Sequence, residues 1–223
     1  MAQALAHGEA RSGGRPRLGR AIALACAVGL AGGLAAAAFG LSMGAGSAES
    51  LRLAARYSAR FAFLLFLPVY LAGPWHRLAP SAASRFLVQR RRALGLGFAS
   101  AHTVHLAALL GALRAAGESL DATAAVGGAA YAATFAMAAT SNDAAVRRLG
   151  RRWSQLHRVG IHLIWFVFAF SYGSRVAAGQ LFYVPFAAAA GGAFVLRLVA
   201  ARIRRRRRRP GAAAVPRASG GPS

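Results

Sequence analysis

The sequence predicts an all-α membrane protein, a polytopic bundle of six transmembrane helices with both termini in the cytoplasm. Three observations lead there. The chain has 223 residues, of which 57% are hydrophobic and 15% charged, and apolar stretches near the length of a bilayer span recur along it. The 28 basic residues, all Arg, face only 5 acidic ones and cluster in alternate gaps between those stretches. Ionisable residues inside the stretches are almost confined to a few His and Arg. A soluble globular protein is excluded, and one cysteine, Cys26, excludes a disulfide scaffold. The pI of about 12.0 does not indicate nucleic acid, because the Arg residues sit at the ends of apolar spans. Topology explains them, and the expected partner is membrane lipid.

The six expected spans cover about residues 21–41, 57–72, 93–113, 122–139, 157–172 and 176–199. The first is Ala- and Gly-rich and uncharged. It is longer than a signal-peptide core and no clear cleavage site follows, so it reads as a membrane helix. The second, weakened by Arg60, and the fifth are short enough to suggest re-entrant or strongly packed segments. The third carries His102 and His105, and the fifth carries His157 and His162. Thr140, Ser141 and Asn142 close the fourth.

Arginine sets the orientation. Arg11 to Arg20, Arg77 to Arg92, Arg147 to Arg158 and the run Arg204 to Arg209 fall before span one, after span two, before span five and after span six. The intervening loops hold few. The positive-inside rule puts both termini and both Arg-rich loops in the cytoplasm of a bacterial inner membrane. The chain divides into a leader (1–20), a membrane domain (21–200) and an Arg-, Pro- and Gly-rich tail (201–223) that reads as disordered.

The intramembrane histidines are the candidate site, since ionisable groups in hydrocarbon are costly and face bundle interiors. His102 is ten residues past Arg92, and His162 ten past Arg152. With a rise of about 1.5 Å per residue, both sit roughly 15 Å along parallel helices. His105 lies near the face of His102, and His157 near the cytoplasmic interface. Four imidazoles on two helices suit axial ligation of one b-type heme, or a metal or proton path. The metal reading is weaker, because no Asp, Glu or Cys accompanies them in the spans. Small residues around His102 (Gly95, Gly97, Ala99, Ser100, Ala101) leave room for a macrocycle, and equally suit close helix packing.

Two segments carry a family resemblance. Arg91-Arg92-Ala93-Leu94-Gly95-Leu96 opens span three ahead of Val104-His105-Leu106. Thr140-Ser141, then Arg147-Arg148-Leu149-Gly150, then Trp153-Ser154-Gln155-Leu156-His157-Arg158 lead into span five. With a weaker likeness from Arg60-Phe61-Ala62 to Pro68, they resemble the ferric reductase-like transmembrane family. Within it they look most like the heme-binding membrane subunits of bacterial methionine sulfoxide reductase systems. The resemblance covers about residues 57–172 and implies a membrane b-type cytochrome holding heme b between the third and fifth spans. It implies His105 and His157 as axial iron ligands. The family's second span-five His falls at Phe170 here, which leaves His162 as the substitute. By depth, His102 or His105 with His162 matches better than His105 with His157. The family passes electrons across the membrane. No flavin or nicotinamide domain follows span six, so the donor would be a separate flavoprotein or a quinone, with an acceptor on the outer side. The alternative is a heme-free membrane protein that keeps only the fold, as a proton or metal path or an assembly partner.

Overall fold

A computed structural model describes residues 14–119 and 122–207. Among them the chain forms seven α-helices: α1 (Gly14–Ser42), α2 (Ser47–Leu78), α3 (Ala82–Ala116), α4 (Ala122–Ala139), α5 (Asp143–Leu149), α6 (Arg151–Ala177) and α7 (Val184–Arg207). A 3-10 turn, Leu181–Tyr183, leads into α7. Five helical segments are long and apolar enough to cross a membrane: Leu18–Ser42, Ser47–Leu78, Ala82–Ala116, Arg151–Ala177 and Leu181–Arg206. The protein is therefore an all-helical, multi-pass membrane protein. The apolar segment in α4, Ala124–Ala139, is shorter.

The element ends differ from the sequence expectation in ways that have physical causes. The second and fifth spans are not short: α2 has 32 residues and α6 has 27. Arg and His lower the mean hydropathy at their ends without interrupting the backbone ladder. The last span does not begin at residue 176. Val176 and Ala177 finish α6, and Gly179, at φ 80°, breaks the helix with a left-handed residue that a side chain would strain. The first part of the 201–223 tail is not disordered, since α7 continues to Arg207. The remainder of that tail, and His7 with most of the leader, lie outside the described residues.

The first three helices pack most closely, and small residues make this possible. A Cβ on Gly29 of α1 would overlap the Gly97 carbonyl of α3, and one on Gly97 would lie 2.6 Å from the Ala25 carbonyl. Gly40 abuts Ala54 of α2 in the same way. Such backbone approach gains dispersion contacts where lipid offers no hydrophobic drive. At the α2–α3 corner, Ser81 and Ser84 form a reciprocal capping box.

The second half closes around α2. Phe63, Phe66 and Tyr70 of α2, Phe98 of α3, Ile161, Ile164, Phe168 and Tyr172 of α6 and Ala190 of α7 form one buried cluster. Polar ties fix both ends. At the arginine-rich end Arg92 reaches the Ser141 carbonyl and pairs with Asp143 at 2.8 Å, and Trp153 Nε1 donates to the Thr140 carbonyl at 2.9 Å. At the other end Arg52 pairs with Glu118 at 2.7 Å. There too Arg60 donates to Tyr183 Oη at 2.8 Å and lies over the rings of Tyr57, Phe182 and Tyr183 at 4.4–5.0 Å.

Candidate functional site

His102 projects from α3 into the interior and is 6% exposed. Its ring stacks between Phe98, one turn back on its own helix (5.0 Å between centroids), and Tyr131 of α4 (4.3 Å). Phe168 of α6 lies 5.8 Å away and His105 5.5 Å away. His102 Nδ1 and Tyr131 Oη are buried with no hydrogen-bond partner among the described residues. Thus α3 brings its two histidines together, as the i, i+3 spacing requires.

The hydroxyl neighbours assign ring protons. Ser58 Oγ lies 3.4 Å from His105 Nδ1 and 2.7 Å from the Ala54 carbonyl. Its one proton goes to the carbonyl at the shorter distance, so its oxygen is left to accept from His105 Nδ1, the tautomer that keeps a lone pair on Nε2. His162 Nδ1 lies 2.6 Å from the Arg158 carbonyl. A carbonyl only accepts, so Nδ1 carries the proton and Nε2 is again free in the neutral ring. His157 is the reverse case. Its Nε2 lies 3.4 Å from Thr140 Oγ1, which is 2.7 Å from the Ala136 carbonyl, so Nε2 donates and Nδ1 is left. His157 also packs on Trp153 at 4.1 Å.

The α3 pair and the α6 pair occupy different places. His162 meets Tyr70 edge-on at 6.0 Å and lines an outward-facing apolar groove of about 530 Å³ with Arg158, Val159, Leu163, Trp165 and Phe166. Between His162 and His102 runs a relay of rings: Tyr70 to Phe66 at 5.4 Å, Phe66 to Phe98 at 5.3 Å, Phe98 to His102 at 5.0 Å. No Cα of α3 comes within 8 Å of a Cα of α6 among the described residues, and aromatic side chains span the gap. The α6 residue against His102 is Phe168, while Phe170 points outward and is 58% exposed.

The donor chemistry suits iron and other first-row transition metals rather than a hard cation. It consists of imidazoles with free nitrogens in apolar, aromatic surroundings. No group of three or more His, Cys, Asp or Glu able to hold a metal forms among the described residues. Sequence spacing identified the histidines but not Tyr131, Phe168, Ser58 or Thr140, which decide their packing and tautomers. Tyr131 left a signal, as an aromatic hydroxyl in a helix otherwise built largely of Ala and Gly. No known protein family, curated protein or solved structure matches the chain.

Proposed function

We propose that this chain is a membrane electron-transfer protein of ferric reductase-like type that holds one heme b with imidazoles from α3 and α6. In this reading the chain crosses a bacterial inner membrane six times, α4 included, with both termini in the cytoplasm. Electrons enter from a separate flavoprotein or a quinone and leave to an acceptor on the outer side. The observation that carries the reading is the set of four imidazoles confined to two helices, without a carboxylate, two of them with Nδ1 directed at Ser58 and at the Arg158 carbonyl. Fixing Nδ1 aims Nε2 and raises its basicity, as outer partners of iron-ligating histidines do. His105 and His162 are therefore the residues that would hold the iron, with the intervening Tyr70, Phe66 and Phe98 rings moved aside. His102 is the neighbouring imidazole, and His157 is the least suited because its Nε2 is engaged.

Bound heme supplies a reversible one-electron change at its iron. The chain's part is to present neutral imidazoles, exclude water with Phe66, Phe98 and Phe168, and keep Arg158 near the groove for an acidic substituent. The test is a dithionite-reduced minus air-oxidised spectrum of the purified protein, with pyridine hemochrome quantitation. A b-type α-band at about one heme per chain, lost in His105→Ala and in His162→Ala but kept in His157→Ala, is the expected outcome. Absence of heme in a folded preparation made with ample heme would sink the reading.

A second reading has its own observation. The ring relay Tyr70–Phe66–Phe98 occupies the space between the two histidine pairs, which suits a heme-free bundle that keeps the fold as a scaffold for another membrane complex. It predicts no Soret band and an unchanged phenotype when all four histidines are replaced.

A further inference from the structure

Arginine at the basic end of the bundle exceeds what orientation requires in one place. Arg197 is no loop residue. It lies inside α7, ten residues before Arg207, half-buried, with Nη1 donating to the Tyr70 carbonyl at 3.0 Å and the guanidinium 4.5 Å over the Tyr70 ring. Arg77 from the end of α2, Arg91 from α3 and Arg204 from α7 are within electrostatic reach of it or of one another. None of the four pairs with an acid among the described residues. The acids among the described residues do not supply the missing charge: Glu118 and Asp143 are committed to Arg52 and Arg92, and Glu49 sits beside the Ala45 amide.

A second feature adjoins these arginines. Leu71 and Trp75 of α2 with Gly192, Ala193 and Leu196 of α7 line an apolar groove of about 270 Å³. Trp75 precedes Arg77 by two residues and Leu196 adjoins Arg197, so the groove and the guanidinium groups share one depth at the basic end of the bundle. Four cations from three helices beside an apolar groove, with an interfacial Trp on its wall, match a phosphate ester attached to an acyl chain.

We propose that Arg77, Arg91, Arg197 and Arg204 bind the phosphate headgroup of an anionic phospholipid whose acyl chain lies in the α2–α7 groove. Arg197 is held by Tyr70 and positions the site. Arg77, Arg91 and Arg204 are exposed and supply charge. The inference does not depend on whether heme binds.

The experiment is native mass spectrometry of the full-length protein in detergent, titrated with phosphatidylglycerol, with phosphatidylcholine and with inorganic phosphate. Saturable binding of phosphatidylglycerol and none of phosphatidylcholine is expected. Each arginine near a headgroup contributes about fivefold in affinity. Arg77→Gln with Arg204→Gln should therefore weaken phosphatidylglycerol by about 25-fold, and Arg205→Gln with Arg206→Gln by less than fivefold. A Cβ at Gly192 meets nothing within 4 Å, so Gly192→Leu fills the groove without disturbing the fold. It should weaken the lipid at least tenfold. Equal losses in the two double variants would reduce the site to a diffuse positive field and overturn the proposal. So would unchanged lipid binding in Gly192→Leu, or free phosphate displacing phosphatidylglycerol at equal concentration.

Discussion

At the residue scale, environment assigns different work to similar side chains. Phe66 is 1% exposed and touches Tyr70, Phe98 and Phe168, whereas Phe170 is 58% exposed on the same bundle. Removing a buried ring leaves a cavity that neighbours fill only in part. Phe66→Ala is expected to cost about 3–5 kcal/mol, and Phe170→Ala less than about 0.5 kcal/mol. Thermal unfolding in detergent would measure both, and similar midpoints would contradict the packing described. The four histidines illustrate how far sequence reaches at this scale. Their positions along α3 and α6 follow from spacing alone, and so does the contact between His102 and His105. Their rotation about the helix axes does not. Ser58 and Tyr131 belong to other helices and Thr140 to the turn after α4, and only the packed bundle puts Ser58 on His105 and Tyr131 on His102.

At the element scale, the arrangement rests on where backbones approach. Gly29 and Gly97 let α1 lie against α3 with a carbonyl where a side chain would be. Gly97→Leu should force these helices apart. A disulfide engineered between α1 and α3 nearby should then form slowly, while one between α6 and α7 should be unaffected. The apolar stretches located every long helix, but they misjudged the lengths of α2, α3 and α6. Hydropathy falls at Arg52, Arg56 and Arg60 of α2 and at Arg151, Arg152 and Arg158 of α6. Helical hydrogen bonding does not depend on side-chain polarity, so both helices run on past the apolar window. The start of α7 was misjudged for another reason. Gly179 resembles the helical glycines in sequence, and its left-handed φ appears only in the folded chain.

At the scale of the whole molecule, charge asymmetry meets helix direction. Gly29 meets Gly97 and Gly33 meets Ala101 and Val104, so α1 and α3 run parallel. Arg92 joins α3 near its start to the end of α4 at Ser141, so α4 runs back toward the basic end. If α4 crosses the membrane with the other five, reporters fused at either terminus report the same side. Green fluorescent protein should then fluoresce at residue 223, and alkaline phosphatase should be active when fused at Gly117. Phosphatase activity at the C-terminus instead would mean that α4 does not cross. The multi-pass class was legible from the apolar stretches, while the status of α4 was not, because its apolar segment is close to the minimum for a span.

The close packing of α1, α2 and α3 has a consequence for biogenesis. These three helices meet through glycines and alanines before any later residue is needed, and the second half joins them mainly through α2 and the Arg92 tie. The N-terminal hairpins are expected to act as a folding unit that a ribosome delivers first and the rest of the chain docks onto. Two co-expressed fragments, 1–119 and 120–223, should therefore reassociate in the membrane and co-purify. Charge reversal at Arg92 should reduce their yield more than the same change at Arg52, whose partner Glu118 travels in its own fragment.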